Sequence, residues 1–360
     1  MEFIDLKTQQ KRIHSELSES IHKVLSHGQY IMGPEVKELE DKLAKYVGAK
    51  HCIANSSGTD ALLLPLMAMG IAAEDEIVTT PFTFFATGEM ITLIGAKPVF
   101  VDIDPETYNL DSRKLGSALT AKTKAIMPVS LYGLCADIDA ITAVAGKIPV
   151  IEDAAQSFGA SYKSRMSCGL STFGCTSFFP SKPLGGYGDS GATFTNDDHM
   201  AQAMREIRVH GQEKRYHHTR IGINGRIDTL QAAILLAKFA IFPSEVEARG
   251  RIGARYRELL NGKLKLQALP TGYTNVYGQF TIEVDHRAEF IQRMTEMGVP
   301  TSVHYPVPMH LQPVYKNLGF KKGDFPHSER AAERVVSLPM HPYLDEQTQD
   351  KIVETVFKCL

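Results

Sequence analysis

Apolar residues recur along this chain with two different periods, and the alternation between the periods predicts its architecture. Between Gln9 and Ser26 the positions Ile13, Leu17, Ile21, Val24 and Leu25 repeat at helical spacing, which predicts an amphipathic helix. Short apolar runs then alternate with helical stretches. Strands are expected at Glu76–Thr80, Pro98–Asp102, Ala125–Ser130, Val150–Glu152, Cys175–Phe179 and Ala192–Thr195, many of them short apolar runs suited to a sheet covered on both faces. That pattern belongs to an α/β protein with a mostly parallel central sheet. Beyond Gln231 a helix-like stretch through Ala232, Leu235 and Leu236 leads past Pro243 into a long charged helix, Glu245–Leu260. The domain boundary is placed there, with a large domain over 1–240 and a smaller one over 241–360. Tyr277–Val284 as strand and Arg287–Met297 as helix make the smaller part α+β. No internal repeat or low-complexity tract interrupts this order.

Composition narrows the partners. A chain of 360 residues exceeds the usual single core, and 43% apolar with 22% charged residues is ordinary for a globular protein. A formal charge of -2 gives no general attraction for nucleic acid or an anionic membrane, so an anionic ligand has to be held locally, as by the Lys214–Arg215 pair. The five cysteines form neither a C-x-x-C pair nor a disulfide-like framework and read as reduced thiols of a cytoplasmic protein. The most apolar run, Ala61–Ala73, contains Pro65 and Gly70 and is too short for a bilayer, while Lys7–Arg12 keeps the N-terminus polar. Neither a signal peptide nor a membrane span is expected. The histidines lack metal-ligand spacing with acidic or cysteine partners, so no metal is expected.

Three segments carry candidate chemistry. In Asn55-Ser56-Ser57-Gly58-Thr59-Asp60-Ala61 small polar residues open a helix whose free N–H groups and dipole suit an anion, with a simple N-cap as the alternative. The apolar run ending in Glu152-Asp153-Ala154-Ala155-Gln156 places Asp153 where open α/β sheets bind ligands. A carboxylate there could hold a protonated pyridine nitrogen and make the ring an electron sink, although a metal ligand or helix cap fits as well. In the stretch from Thr176 to Ala192 an aromatic strand delivers Lys182 into the glycine-rich turn Pro183-Leu184-Gly185-Gly186-Tyr187-Gly188. Enclosure of its stem lowers a lysine pKa toward values useful for bonding to a carbonyl, whereas most lysines are solvated surface charges.

These segments, together with Gly28-Gln29-Tyr30-Ile31-Met32-Gly33, Pro81-Phe82-Thr83-Phe84-Phe85-Ala86-Thr87 and Asn224-Gly225-Arg226, resemble the sugar aminotransferases of the DegT/DnrJ/EryC1/StrS family over nearly the whole chain. The resemblance implies the pyridoxal 5'-phosphate (PLP) dependent transferase fold type I, as in aspartate aminotransferase, and a homodimer with shared active sites. It implies that Lys182 carries PLP, that Asp153 pairs with the pyridine nitrogen, and that Gln156 contacts the ring hydroxyl. Phe84 would stack on the ring. Gly58, Thr59 and Ser177 would hold the phosphate, with Asn224 arriving from the partner subunit. Without the resemblance, Phe84 reads as a core aromatic and Asn224 as a turn residue.

One branch of the family uses L-glutamate to aminate C3 of a UDP-linked 2-acetamido-2-deoxy-3-oxo-hexuronate, on the way to bacterial surface polysaccharide such as O-antigen. The opening Met1–Gln10 and the segment His217–Gln231 are similar to that branch, with departures at Gly225, Ile227 and Gly186. Arg226 fits it, because a guanidinium binds a carboxylate through two parallel hydrogen bonds, and its alternative is an ion pair with Asp228 or another acid. His304-Tyr305-Pro306 resembles the family's small-domain substrate contact, against a turn with a solvent-facing imidazole. Other nucleotide-linked 3- or 4-keto-sugars, or a non-catalytic PLP-binding regulator, are the competing functions. Sugar C3 dehydration is disfavoured because those relatives have histidine where Lys182 stands.

Overall fold

The structure is a computed structural model that describes residues 1–360. Its large sheet contains β1 (His51–Asn55), β2 (Glu76–Thr79), β3 (Lys97–Phe100), β4 (Thr123–Ile126), β5 (Ile151–Asp153), then, after the small hairpin β6 (Ser161–Tyr162) and β7 (Arg165–Met166), β8 (Phe173–Ser177) and β9 (Gly191–Thr195). Strands β3-β2-β4 pair in parallel, β5 pairs in parallel with β8, and single parallel bridges from Ile126 to Val150 and from Val129 to Asp153 join the two groups. The order is therefore β3-β2-β4-β5-β8-β9-β1. Only β9 runs against its neighbours, so every other strand ends at the same edge.

The expected strands are present with their ends shifted by at most four residues, and β1 is an addition that the hydrophobic pattern did not announce. Helices cover both faces. On one side the helix Pro34–Val47 begins with proline after Gly33 and turns Val36, Leu39, Leu43 and Val47 into a core with Phe158, Phe178, Phe194 and Phe242. Each such leucine contributes about 1.5–3 kcal/mol by leaving water. On the other face Leu62, Leu64 and Leu66 of the helix Gly58–Ala68 pack with Ile77, Met127, Ile151 and Phe173.

Two expected helices differ in their breaks. The N-terminal one is split at Ile13 into Leu6–Arg12 and His14–His27, because buried Gln9 anchors the first piece by donating to both Glu245 oxygens at 3.1 and 2.8 Å. Leu25 lies outside the apolar stripe and is exposed. Pro243, in contrast, breaks nothing, and the helix Thr229–Leu260 runs through it for 32 residues. Proline removes one backbone donor, while buried Phe242 and Glu245 on either side hold the helical path. By length and composition part of this helix could cross a bilayer, and half of that stretch is buried against the protein.

The 240/241 division falls inside this helix. Its last turns, with Ile252, Tyr256 and Leu260, enter a separate core built with β13 (Phe280–Glu283), the helices Arg287–Glu296 and Glu346–Cys359, and β14 (Val335–Leu338). Strands β12 (Lys265–Leu266), β13 and β14 form an antiparallel sheet there. Ahead of the long helix, within the large part, β10 (Gln212–Lys214) and β11 (His217–His218) make an exposed hairpin.

Candidate active site

A cavity of about 450 Å³ opens at the edge where the parallel strands end. Its wall includes Gly58, Thr59, Phe84, Asp153, Gln156, Ser177, Lys182, His304 and Tyr305, which gathers residues the sequence separates by up to 247 positions. The separation closes because strand ends from the large sheet face a loop from the C-terminal part.

Lys182 is set by the turn that follows β8. Its N–H donates to Phe179 O at 2.9 Å, and Gly186 N–H donates to Phe178 O at 2.7 Å. A Cβ at Gly185 would lie 2.4 Å from Pro180 O, so this turn closes only with glycine. Gln231 of the long helix then clamps the exit, accepting from Tyr187 N–H at 2.9 Å. Lys182 itself is half-buried and opens onto the cavity. Burial pulls its amine down to about 8, partly opposed by the Asp153 charge.

Asp153 is the last residue of β5 and is buried. Thr87 Oγ1 donates to its Oδ2 at 2.7 Å, and Ala155 N–H donates to Oδ1 at 3.2 Å. Burial raises its carboxyl above the usual range, while these donors and Lys182 oppose the rise. Thr87 lies in the helix Ala86–Leu93 directly after Phe84, so one segment supplies both an aromatic face to the cavity and a hydroxyl to the carboxylate.

The anion-holding corner forms where β1, β8 and β9 meet. Gly191 pairs with both Asn55 and Ser177, which draws the start of the helix Gly58–Ala68 against the end of β8. Ser57 caps that helix, accepting from Asp60 N–H at 3.0 Å. A Cβ on Gly58 would meet Ser177 Cβ at 2.5 Å, so only glycine lets the helix start close against Ser177 at the cup of free N–H groups. The cap reading and the anion reading are therefore compatible.

Gln156 is held at both ends of its amide: Oε1 accepts from Tyr132 N–H at 2.7 Å, and Nε2 donates to the Tyr305 hydroxyl at 3.0 Å. Phe84 is no core aromatic. It is 56% exposed, and its ring centroid lies 5.8 Å from that of Tyr305 across the cavity. The His304 ring does not face solvent, since Nδ1 is 3.0 Å from Ser337 Oγ and the Tyr132 hydroxyl donates to the His304 carbonyl. Burial, with the Lys182 charge second, pushes its imidazole down to about 4, so it is neutral at pH 7.

Two expected site residues stay outside this wall. Asn224 is exposed, its backbone bridged to Val209. Arg226 bridges to Asn55, its Nε is buried without a hydrogen-bond partner, and no ion pair joins it to Asp228. Conversely, the sequence reading gave no role to Thr83, Thr87, Tyr132, Asp189 or Gln279. The two threonines sit inside a motif already singled out, whereas nothing local marks Gln279, which lies on the approach to β13. No group of three or more His, Cys, Asp or Glu is placed to hold a metal ion.

The residues present fit PLP. Cup, amine, buried carboxylate and exposed aromatic ring share one cavity, and glycine at position 58 is what lets the helix start approach Ser177.

Comparison with known proteins agrees. The model of the DegT/DnrJ/EryC1/StrS aminotransferase family matches residues 11–357. The UDP-2-acetamido-2-deoxy-3-oxo-D-glucuronate aminotransferase of Pseudomonas aeruginosa is 56% identical over 348 residues, covering 96% of each chain. A DegT/DnrJ/EryC1/StrS aminotransferase structure from Brucella abortus superposes with a TM-score of 0.96 at 45% identity, covering 99% of each chain. The NtdA structure from Bacillus subtilis, solved with bound cofactor PMP, gives a TM-score of 0.89 at 29% identity over 99% of this chain and 83% of the other.

Proposed function

Because this chain belongs to the DegT/DnrJ/EryC1/StrS aminotransferase family, whose members depend on PLP, we propose that it moves the amino group of L-glutamate to C3 of a UDP-linked 2-acetamido-2-deoxy-3-oxo-hexuronate. The carrying observation is one enclosed amine, Lys182, sharing a cavity with the buried carboxylate of Asp153. The 56% identity to the Pseudomonas aeruginosa enzyme supports the choice of sugar.

Bound PLP supplies an electron-poor ring that stabilises negative charge on the carbon next to the transferred nitrogen. The chain's residues divide the remaining work. Lys182 would hold the cofactor between turnovers and, once free, would accept and return a proton at its Nζ. An amine near 8 suits both halves of that transfer at neutral pH. Asp153 keeps the ring nitrogen protonated, and the Thr87 hydroxyl keeps that carboxylate aimed. Gly58, Thr59 and Ser177 would hold the phosphate, Phe84 would cover the ring, and Gln156, with one amide hydrogen still free, would bind its hydroxyl.

The active unit is a homodimer. Arg226 Nε is buried without a hydrogen-bond partner and Asn224 is exposed, both outside their own cavity, which suits a role in the site of a second copy: Asn224 on the phosphate, Arg226 on the uronate carboxylate. His304 and Tyr305 contact substrate from the C-terminal part. Five buried free cysteines accord with a cytoplasmic setting, upstream of surface polysaccharide assembly.

The test is to load the protein with pyridoxamine phosphate and add UDP-linked keto-sugars one at a time. The 3-oxo-hexuronate should restore the PLP absorbance and leave a 3-amino sugar. Restoration only by a neutral or 4-keto-sugar would move the assignment to another substrate, and Arg226→Ala should then have no selective effect.

A further inference from the structure

Three residues of the cavity wall are tied together by one that is not part of the wall. Tyr132 is fully buried, and it touches all three. Its N–H donates to Gln156 Oε1 at 2.7 Å, its carbonyl accepts from Gln279 N–H at 3.5 Å, and its hydroxyl donates to the His304 carbonyl. Gln156, Gln279 and His304 line the cavity, whereas Tyr132 does not.

The backbone of Tyr132 has φ 60° and ψ 8°, a left-handed conformation that bulky residues rarely take and keep only where their surroundings over-determine it. Both parts of the chain grip this turn. Leu131 N–H donates to Asn109 Oδ1 at 2.9 Å, while Leu131 O accepts from Gln267 Nε2 at 3.0 Å. Gly133 O accepts from Val276 N–H at 3.2 Å, and a Cβ on Gly133 would meet Tyr277 N at 2.6 Å. The Tyr132 ring stands edge-on to Phe82 and Tyr108, with centroids 6.5 and 5.8 Å away. Burial pushes its phenol well above the ordinary range, so the hydroxyl remains a donor at every working pH.

Backbone and side chain of this residue then do separate work. The N–H fixes the oxygen of Gln156, which leaves Nε2 for the Tyr305 hydroxyl. The phenol reaches the same C-terminal loop one residue earlier, at His304. We infer that Tyr132 is a positioning residue, whose hydroxyl holds the His304–Tyr305 loop where it meets the substrate while touching neither substrate nor cofactor itself. This rests on the reading that His304 and Tyr305 contact the keto-sugar. A loop ordered in advance spares the substrate the entropy of ordering it.

Tyr132→Phe separates the two tasks, because it keeps the N–H and the ring and removes only the hydroxyl. In the pyridoxamine-phosphate-loaded protein, the rate at which the UDP-linked 3-oxo-hexuronate restores PLP absorbance is followed against sugar concentration. The half-saturating concentration should rise about tenfold, the worth of one hydrogen bond whose acceptor is left bare. The saturating rate per bound cofactor and the uptake of cofactor should stay near wild type, since Gln156 keeps its donor. A merely structural role would instead lower the melting temperature and the active fraction at an unchanged half-saturating concentration. That result overturns the inference and leaves the aminotransferase reading intact, as does no change at all. Should Tyr132→Phe not fold, Ser337→Ala asks the same of the loop, because Ser337 Oγ lies 3.0 Å from His304 Nδ1. It too should raise the half-saturating concentration, and an unchanged value would overturn the inference. Failure of wild type to respond to any UDP-linked keto-sugar overturns both readings.

Discussion

Lys182 and Lys238 are both pulled down to about 8 by burial, each partly opposed by one carboxylate, Asp153 for the first and Glu245 for the second. Their surroundings differ in everything else. Lys182 leaves a strand end on a glycine-rich turn and faces a cavity that also holds an anion cup and an aromatic face. Lys238 lies mid-helix at 1% exposure, its Nζ without a hydrogen-bond partner and 4.8 Å from the centroid of the Tyr187 ring. A lowered proton affinity is thus common to the lysine that opens onto the cavity and to a sealed one. Access, with partners for the rest of a ligand, makes the difference.

The largest effect that would break this contrast is on turnover. Lys182→Ala should slow steady-state transamination by at least about 10²–10⁴-fold, while Lys238→Met should keep wild-type turnover. Next comes Asp153→Asn, which should retain cofactor by absorbance yet turn over about 10–100-fold more slowly, the worth of a charge-assisted hydrogen bond. Thr87→Val removes the hydroxyl from Asp153 at nearly constant volume and should cost about tenfold, with Thr87→Ser restoring most of it.

The pH dependence sharpens the same comparison. Below about 8 Lys182 carries a proton and has no lone pair to offer, so PLP uptake by the cofactor-free protein should rise from pH 7 and level off above pH 8. An ordinary exposed lysine would still be gaining at pH 10, and such a continued rise would place the bond elsewhere. The smallest effect is on stability. Lys238→Met should stabilise the fold at pH 7 by on the order of 1 kcal/mol, because it removes a buried amine that lacks a partner. The folded value of Lys238 is lowered, so the unfolded chain binds the extra proton between about pH 8 and the ordinary lysine range, and wild-type stability rises there. Urea unfolding at several pH values should therefore show the gap closing above pH 8.

Much of the large sheet was legible in the sequence, because strands buried on both faces leave short apolar runs such as Ile77–Val78 and Pro98–Val101. β1 escaped because His51–Asn55 is short and ends in Asn. The split at Ile13 and the unbroken helix through Pro243 were illegible for one reason: both depend on contacts around Glu245, a residue far from Ile13 in sequence. In the site, Lys182, Asp153 and Gly58 stood out because their motifs are local. Thr87 and Gln279 are placed only by folding, the first against Asp153 and the second on the cavity wall, and no spacing announces either position. Asn224 and Arg226 lie outside the cavity of their own chain, so their proposed roles need a second copy.

The central claim, that Lys182 is the amine joined to PLP, is tested most directly by borohydride reduction of the PLP-loaded protein followed by peptide mass mapping. The account predicts one pyridoxyl group, on the peptide that contains Lys182, and none in Lys182→Ala. A label on the Lys238 peptide, or on no lysine at all, would contradict it.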